Sequence, residues 1–506
     1  MRHFMVIACL LSASPAGAVS FVSQYAVAGG ASDLSGLTGA GNNRLGGFGS
    51  DLIYDAGSGL FTGMSDRGPG GGVLPYAPRT QTFSLDINRT TGTINGFQLQ
   101  ATTLFQQANG NTYNGLNPQL LNGSSATLGG SLDPEGLARL PNGNLLVSDE
   151  YGPSVIEFTR GGQFVRAFTT PDNLIPRNAG GTTNYVDGRP TITTGRQDNR
   201  GFEGLTVSPD GTTAYAILQD PLVNEGRNGS AADGRYSRNV RIVAFDVATG
   251  RSTAQYIYQL EAVADINDRI DGTANDFAAN AQGRSIGVSA IQALSTGTLL
   301  VLERDNRGLG VDDPTAANPV GSKRLYRIDL AGATNVAGVS LAATNDLPAG
   351  VSPVTKTASP FLDIAAALRS AGLPVPEKIE GFAFGPRLAD GSYTLILATD
   401  NDFSVTQNGA GTQFDVCTSG AGGTNSQVAL GAGCPAGTAL ISNYLYSFRV
   451  TDAEYRQLVG SVPEPATWAM MILGFGLIGF GMRNGIRRSN VKFDAKIKRI
   501  VAGLGA

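Results

Sequence analysis

A short unit of strand, tight turn, strand and acidic cluster recurs along the chain and limits the folds that are open to it. Three units begin with a Glu-Gly pair, at Glu135, Glu203 and Glu380, and two looser units begin at Ser50 and Ser289. The Glu-Gly units pass through an Asn-Gly or Asp-Gly turn, which is a strong hairpin signal between apolar runs. A hairpin returns the chain to the end where it began, so each opening residue lies at the same end as its closing acidic cluster.

The segments around these turns are short apolar runs with the length and composition of strands. They occur at residues 145–150, 155–158, 213–218, 241–247, 298–303, 324–330, 393–400 and 444–450. Only residues 361–371 have a clear helical pattern. The sequence therefore predicts an all-β fold.

The shared position of the acidic ends favours one all-β architecture. Four-stranded blades repeated around an axis bring the ends of their hairpins to one mouth. A β-helix or a pair of sandwiches would also contain many short strands, but would not bring the acids to one axis. We therefore expect a β-propeller with six blades, in a range of five to seven. Five units are visible, and residues 100–130 and 170–195 have room for a sixth.

The first 18 residues have the three parts of a secretory signal peptide. Arg2 supplies a positive charge, residues 4–11 form an apolar segment too short to span a bilayer, and small residues at 16–18 suit a signal peptidase. We expect residues 1–18 to be removed on export. The alternative is that residues 4–11 form a first β-strand of the folded domain.

The other end of the chain resembles a PEP-CTERM sorting signal. A Pro-Glu-Pro motif at 463–465 precedes an apolar run with Trp468 near its start, and three arginines follow between 483 and 488. The resemblance implies a transmembrane sorting helix within residues 461–488 and an exosortase-type protease as a partner. Such signals usually end soon after the basic cluster, whereas this chain continues as a basic tail over residues 489–506.

The balance of charged residues excludes several classes of function. Without Arg2, seven C-terminal basic residues and Asp494, the chain has 29 basic and 40 acidic residues, which argues against a nucleic-acid partner. The only histidine, His3, leaves with the signal peptide. This excludes a Ser-His-Asp triad and the usual histidine-bearing zinc sites. Any catalysis must therefore use carboxylates, Arg, Lys, Tyr, Ser or a hard metal ion.

Two cysteines, Cys417 and Cys434, remain after Cys9 is removed with the signal peptide. They lie in a stretch rich in Gly, Ala and Ser. In an oxidising compartment such a pair is typical of a disulfide that closes a loop. The alternative is two free thiols in a surface loop.

Several segments in order make residues 40–450 resemble the phytase-like family, which is described as having esterase-like activity. They are SLDPEGLARLPNGNLLVSDEYG at 131–152, DNRGFEGLTVSPDGTTAYAILQDPL at 198–222, LLVLERDNRG at 299–308, KIEGFAFGP at 378–386 and LATDNDF at 397–403. The resemblance implies a propeller with an acidic, calcium-loaded central face. It also implies chemistry on phosphoric esters.

The opening glutamates and the closing acids together form an all-oxygen set of the kind that Ca²⁺ prefers. The expected metal ligands are Glu135, Asp149, Glu203, Glu303, Glu380 and Asp400. So many carboxylates at one mouth would repel each other and raise each other's pKa unless a cation were bound. The alternative is that these residues only fix turns and pair with arginines. The available arginines are Arg67, Arg200, Arg304 and Arg307.

Two functions from different classes fit this pattern, and we favour the first. It is a calcium-dependent ester hydrolase that uses water activated by the metal on phosphoric esters, or on carboxylic esters. The candidate catalytic residues are Glu135, Glu203, Glu380 and Arg304, and the candidate substrate-binding residues are Arg67, Lys378 and Arg304. The second function is a non-catalytic extracellular propeller that binds a matrix polysaccharide, a protein or an ion.

These features predict four segments: signal peptide 1–18, propeller domain 19–460, sorting segment 461–488 and basic tail 489–506. We expect an exported monomer in the envelope or extracellular matrix of a Gram-negative bacterium, anchored in the membrane at least transiently. Its expected partners are a small-molecule ester substrate, the sorting protease and the membrane.

Overall fold

Antiparallel sheets account for most of the fold, in agreement with the predicted all-β class. The computed structural model describes residues 19–39, 41–408, 411–460, 493–494 and 496–498. The predicted signal peptide and the predicted sorting helix lie outside the described residues, as does most of the basic tail. Within the described residues, no helix is both long enough and apolar enough to cross a bilayer. The chain divides into two compact units after Tyr455, and the sheets below belong to the first.

Five of the sheets follow one another along the chain. Sheet 1 contains Asp51–Asp55, Leu60–Ser65, Arg79–Ile87 and Ile94–Leu104. Sheet 2 contains Pro134–Arg139, Leu145–Asp149, Ser154–Phe158 and Phe164–Ala167. Sheet 3 contains Phe202–Val207, Thr213–Leu218, Asn239–Asp246 and Arg251–Gln259. Sheet 4 contains Ile286–Ala293, Thr298–Asp305 and Lys323–Asp329, with the short strands Thr355–Lys356 and Leu362–Asp363 sharing its outer edge. Sheet 5 contains Ile379–Arg387, Tyr393–Thr399, Asn443–Val450 and Ser20–Val27.

The first strands of the five sheets contact each other in a closed cycle, from sheet 1 through sheet 5 and back to sheet 1. The cycle contains five sheets. This number lies within the expected range of five to seven blades but is one fewer than the expected six. The two segments with room for a sixth contain no further four-stranded sheet in the described part of the chain. They contain the end of sheet 1, the helix Pro118–Asn122 and the paired strands Arg177–Asn178 and Ile192–Thr194.

The two ends of the domain meet in sheet 5. The N-terminal strand Ser20–Val27 pairs antiparallel with Asn443–Val450 and forms the outer edge of the sheet. Completing sheet 5 therefore takes strands from both ends of the domain.

Apolar clusters fill the spaces between neighbouring sheets. Met64 of sheet 1 packs with Leu137 and Val147 of sheet 2, and Phe61 and Phe83 of sheet 1 belong to a cluster that includes residues of sheet 5. Burying each such side chain stabilises the fold by roughly 1.5–3 kcal/mol. The sheets are therefore held to each other mainly by hydrophobic packing.

Helices are few and short within residues 19–460 as far as the structure describes them. They are Pro118–Asn122, Val263–Asn267, Ile364–Ser370 and Asp452–Val459, with single 3₁₀ turns at Asp172–Leu174, Gly234–Tyr236, Thr273–Asn275, Ala279–Ala281 and Asp402–Ser404. The helix predicted over residues 361–371 is observed as Ile364–Ser370. It begins after Asp363, whose carboxylate accepts the backbone N–H of Ala366 and caps the helix.

A small sheet, here called the insert sheet, lies in the chain between the second and third strands of sheet 5. It contains Val405–Asn408, Thr412–Thr418, Asn425–Ala429 and Ala439–Leu440. Cys417 and Cys434 form a disulfide within it, with their Cα atoms 5.6 Å apart. A buried ion pair between Arg44 and Asp415, 2.8 Å long, joins the insert sheet to the N-terminal part of the domain.

Replacing both Cys417 and Cys434 by serine should lower the free energy of unfolding by about 3 kcal/mol, because the bridge restricts the unfolded chain. The two cysteines are 17 positions apart. Urea denaturation of the double variant and the wild type measures the difference. An unchanged denaturation midpoint, or two alkylatable thiols in the unreduced wild type, would contradict the prediction.

Candidate metal and substrate site

The glutamates of the sequence repeat occupy β-bulges in the first strands. The pairing register shifts at Glu135, Glu203 and Glu380, and Ser289 has the same position in sheet 4. A bulge inserts one residue into a strand and changes the direction of its side chain. The glutamates are therefore placed by a local irregularity that recurs from sheet to sheet.

The glycine of each Glu-Gly pair is required where two first strands approach closely. A Cβ atom at Gly136, Gly204 or Gly381 would lie 2.6–2.9 Å from a backbone nitrogen of the neighbouring first strand. Real Cβ atoms do not come so close to backbone atoms. The two residues of the Glu-Gly pair thus have separate roles. Glu supplies the side chain on the bulge, and Gly allows neighbouring first strands to approach closely enough to form the ring.

The three glutamates line one central cavity of about 360 Å³. Eight acidic and four cationic side chains line the same cavity. The acids are Asp66, Glu135, Glu150, Glu203, Asp312, Glu377, Glu380 and Asp402, and the cations are Arg67, Arg200, Arg304 and Lys378. The excess of acids means that the cavity is suited to bind a cation.

Three of the expected metal ligands, Asp149, Glu303 and Asp400, do not line this cavity. The residues that follow Asp149 and Glu303 do line it: Glu150 comes directly after its second strand, and Arg304 lies within its second strand. Successive side chains of a strand point to opposite faces, so choosing a position one residue too early selects the wrong face. Asp400 is a different case, because it is buried beside the lining residue Asp402.

The carboxylates of Asp149 and Glu303 have structural partners. The Asp149 carboxylate accepts backbone N–H groups of Asp133, Tyr151 and Gly152. The Glu303 carboxylate accepts the hydroxyl of Tyr258 and forms a 2.6 Å ion pair with Lys356. We therefore remove both residues from the candidate ligand set.

Two groups of three carboxylates share Asp66. The first group is Asp66, Asp400 and Asp402, and the second is Asp66, Asp133 and Glu135. In each group the candidate ligand atoms all lie within 4.8 Å of one another. Oxygens bound to one Ca²⁺ at about 2.3–2.6 Å are at most about 5 Å apart, so both groups fit the ion. Glu203 and Glu380 belong to neither group.

The acidic side chains around the cavity resist ionisation. Burial, strengthened by repulsion from Asp400, raises the pKa of Asp66 well above its ordinary value. Burial and the charge of Glu203 do the same to the pKa of Glu135. Burial raises the pKa of Asp133 and of Asp400 to about 7 in each case. Carboxyl groups in this state take up protons unless a cation neutralises them.

Some carboxylate oxygens at the site lack a hydrogen-bond partner within the described residues. Oδ2 of Asp400, Oε2 of Glu380 and Oε2 of Glu377 are buried in this condition. Buried polar atoms are normally satisfied, so each exception needs an explanation such as an ion or a water. The donor set of hard oxygen atoms and these oxygens without a hydrogen bond both fit a divalent cation.

The three predicted substrate-binding cations are ion-paired with these acids. Arg304 lies 2.6 Å from Glu380 and 3.9 Å from Glu203, and its Nε donates to the Ser289 hydroxyl. Arg67 lies 2.7 Å from Asp133. Lys378 lies 2.6 Å from Asp402 and 3.5 Å from Asp400.

The other two arginines considered from the sequence differ from each other. Arg200 lines the cavity and pairs with Asp220 at 2.9 Å. Arg307 donates to the backbone oxygen of Asn275 and covers the ring of Phe277, and it does not line the cavity. Pairing with arginine thus accounts for some of the acids, while the acidic excess remains.

The predicted site set lacked six acids that the structure brings to the cavity or to the two three-carboxylate groups. They are Asp66, Asp133, Glu150, Asp312, Glu377 and Asp402. Asp66 and Asp402 lie inside the closing clusters of their units, so a wider selection of those clusters would have found them. Asp133 precedes Glu135 by two residues, and Glu377 precedes Glu380 by three. An acidic residue shortly before the first strand is therefore the sequence pattern that could have predicted them.

Comparison with known proteins agrees with these features. The model of the phytase-like family, described as esterase-like activity of phytase, matches residues 43–403. The PEP-CTERM protein-sorting motif matches residues 461–488. An uncharacterised secreted protein of Arthroderma benhamiae is 34% identical over 190 residues, which are 35% of this chain and 35% of that protein. The match thus spans about a third of the length of this curated relative.

Solved structures with some likeness have low TM-scores. The hydrazine synthase of Kuenenia stuttgartiensis has a TM-score of 0.26 at 10% identity, covering 72% of this chain and 80% of its own. A luciferin-regenerating enzyme also has a TM-score of 0.26 at 10% identity, and the match covers 80% of this chain and 92% of that enzyme. A Bacteroides caccae protein of unknown function has a TM-score of 0.23 at 10% identity, and the match covers 65% of this chain and 63% of that protein. At these scores we base no argument on them.

The sorting motif and the secreted relative support export to the cell envelope, and the motif implies recognition by an exosortase-type enzyme. The family match covers well over half of the chain and includes the three Glu-Gly units of the cavity. The chain therefore belongs to the phytase-like family and carries a PEP-CTERM protein-sorting motif at its C-terminal end.

Proposed function

We propose that the protein is an exported, calcium-dependent ester hydrolase that acts on phosphoric esters in its central cavity. The observation that carries the proposal is the pair of three-carboxylate groups that share Asp66, beside a cavity lined by four cationic side chains. Asp66, Asp133, Glu135, Asp400 and Asp402 are the proposed calcium ligands. This set replaces the broader one suggested by the sequence.

The charge balance supports calcium at this position. The five proposed ligands carry five negative charges when ionised, whereas only Arg67 and Lys378 are paired with them. Hard oxygen ligands in an irregular arrangement suit Ca²⁺. A bound calcium ion would neutralise part of a phosphate group and lower the pKa of a nearby water molecule.

Arg304 and Arg67 are the proposed binding residues for the anionic group of a substrate. A guanidinium group can offer two parallel N–H donors to phosphate oxygens. Glu380 holds Arg304 at 2.6 Å and the Ser289 hydroxyl holds its Nε, so the guanidinium is oriented before a substrate arrives. Such orientation in advance reduces the entropy lost on binding.

Glu203 is the proposed proton donor. Burial and the charges of Glu150 and Glu380 raise the pKa of Glu203 well above its ordinary value. A carboxyl group that keeps its proton near neutral pH can donate it to a leaving oxygen. Gln219 donates a 2.9 Å hydrogen bond to Oε1 of Glu203, which fixes the orientation of the carboxyl group.

A panel of phosphoric and carboxylic esters, assayed with calcium and with EDTA, tests the proposal on the purified full-length chain. We expect phosphate release from at least one phosphomonoester in calcium and loss of that release in EDTA. Hydrolysis of carboxylic esters alone would show that the protein is a carboxylic-ester hydrolase and does not act on phosphoric esters. Absence of calcium-dependent hydrolysis across the whole panel would contradict the enzyme assignment.

One observation favours the non-catalytic alternative. Arg67, Arg304 and Lys378 are each already paired with an acid, so a substrate anion must compete with those carboxylates. A surface protein that only binds a cation or a matrix polymer would also keep such pairs. Calcium binding without turnover on the ester panel would select this alternative.

We further propose that the ring of five sheets is a five-bladed β-propeller. The closed cycle of first strands and the radial order of strands in each sheet support this assignment. The domain bounds 19–460 and the monomeric state remain predictions.

We also propose that residues 461–488 anchor the exported domain in the membrane of a Gram-negative envelope. Removing residues 463–506 should release the folded domain into the medium, because the apolar run and its basic flank would be lost. Fractionation of cells that express the truncated and the full chain measures this. A truncated protein that still sediments with membranes would show that another feature attaches it.

Without metal, the stability of the domain should fall as pH rises from about 5 to 8. Asp133, Asp400 and Glu377 have a pKa of about 7 in the folded protein, against ordinary values near 4. Between these values the folded state holds protons that the unfolded state has released, so raising the pH favours unfolding. The expected loss is at least about 1 kcal/mol.

Urea denaturation at several pH values, in EDTA and in calcium, measures this dependence. Saturating calcium should reduce the loss, because the ion replaces the protons on the same carboxylates. A pH dependence that is identical in both media would show that calcium does not bind at these groups.

A further inference from the structure

A second cavity lies between sheet 1 and the hairpin turn of sheet 2. Its volume is about 270 Å³, and it shares no lining residue with the central cavity. Threonines form much of its wall, two arginines line it, and two leucines add apolar surface. The lining residues include Thr62, Thr80, Thr82, Thr103, Arg139, Arg160, Leu60 and Leu145.

The threonines share one face of sheet 1. Thr62 is paired with Thr82, and Thr80 with Thr103, while Thr80 and Thr82 are two positions apart on one strand. The opposite face carries Phe83 in an apolar cluster. Hydroxyls are not needed for packing here, because valine has the same branched shape and sheets 1 and 2 meet elsewhere through apolar side chains.

Two of these hydroxyls have no hydrogen-bond partner within the part of the chain that the structure describes. Thr80 is only 2% exposed, and neither its hydroxyl nor that of Thr103 forms a hydrogen bond with any other described residue. Both side chains line the cavity, so a ligand there has hydroxyl groups available to it.

Two guanidinium groups add positive charge to the same cavity. Arg139 is partly buried and lies 3.4 Å from Asp55. Arg160 is exposed and has no carboxylate partner among the described residues. Burial lowers the pKa of Arg139, and the nearby charge of Arg160 lowers it further although Asp55 opposes this. Asp55 neutralises only one of these two arginines, so the cavity can bind an anionic group.

We propose that this cavity binds a sugar ring that carries a carboxylate, such as a uronic acid unit. The threonine hydroxyls would bind sugar hydroxyls, the arginines would bind the carboxylate, and Leu60 and Leu145 would contact the apolar face of the ring. The volume is below the roughly 300–1,000 Å³ of pockets for drug-sized ligands, so it suits one ring. This proposal is independent of hydrolysis in the central cavity.

Calorimetric titration of the purified full-length chain tests the proposal, with galacturonate and trigalacturonate as probes. EDTA is present throughout, so that metal in the central cavity cannot bind the carboxylates. Neutral galactose is the matched ligand control. Trigalacturonate distinguishes a unit within a polymer from a free sugar acid, because it should bind at least as tightly as the monomer only if the cavity admits a chain.

Three variants locate the binding. Arg160→Gln should weaken binding at least about tenfold, and Thr80→Val should weaken it about threefold to tenfold. Arg251→Gln, which neutralises an exposed arginine on the outer strand of sheet 3, should change nothing. Circular dichroism checks that each variant is folded; the exposed Arg160 makes its variant the decisive one.

Loss of affinity in Arg160→Gln but not in Arg251→Gln would support the site. No binding of either acid by the wild type up to ~10 mM, which corresponds to a free energy too weak for a built site, would overturn the proposal. Equal affinity for galactose, or equal loss in Arg160→Gln and Arg251→Gln, would overturn it as well.

Discussion

Replacing Asp66 by asparagine should lower the affinity of the protein for calcium by at least about 100-fold. Asp66 is the residue that the two carboxylate groups have in common, so its charge is lost from both at once. Changes to residues outside the ligand set of a metal typically cost 10–100-fold in affinity, and a shared ligand should cost no less. Asparagine keeps the size of the side chain and one oxygen.

Isothermal titration calorimetry with calcium measures the affinity. Further variants serve as controls for the effect of Asp66→Asn. Asp86→Asn removes an exposed acid on sheet 1 and should leave the affinity unchanged. Glu380→Gln should have a smaller effect than Glu135→Gln, because Glu380 pairs with Arg304 whereas Glu135 belongs to a carboxylate group. If Asp66→Asn and Asp86→Asn bind calcium equally well, the acids near Asp66 are not its ligands.

Replacing Arg304 by glutamine should lower the free energy of unfolding by about 3–5 kcal/mol near neutral pH. The side chain of Arg304 is only 8% exposed and that of Glu380 only 3% exposed. Removing the guanidinium leaves Glu380 and Glu203 as buried acids without their cation. The cost arises from this unpaired charge more than from the lost contact itself.

The double variant Arg304→Gln, Glu380→Gln is the matched control for that prediction. It removes both charges and replaces them with neutral groups of similar size, so most of the lost stability should return. Urea denaturation of the wild type, both single variants and the double variant gives the coupling energy between the two residues. A coupling energy near zero would show that the pair does not contribute to stability.

The repeat was sufficient to predict the strands and the common location of three glutamates. The runs at 213–218 and 393–400 correspond to Thr213–Leu218 and Tyr393–Thr399, because Asp-Gly turns fix where a hairpin reverses. Glu135, Glu203 and Glu380 line one cavity because the bulge and the glycine recur together. Local chemistry determined each of these features, so it was visible in the sequence.

Features that depend on distant parts of the chain were not visible. The sequence gives no local sign that Ser20–Val27 completes sheet 5, because that pairing joins the two ends of the domain. The number of sheets in the ring is likewise a result of packing between strands. The choice of Asp149 in place of Glu150 has a different cause: the two acids are neighbours in one closing cluster, and the pattern alone does not tell which of them faces the cavity.

The most direct test of the central claim is a crystal structure of the calcium-soaked protein at pH 8, examined by anomalous scattering. Our account predicts an anomalous peak with carboxylate oxygens of Asp66 and of at least one of its two groups at about 2.3–2.6 Å. At this pH the acids with a pKa of about 7 are ionised, which favours the metal. A cavity without a peak at millimolar calcium, with Asp66 held by protein groups alone, would contradict the account.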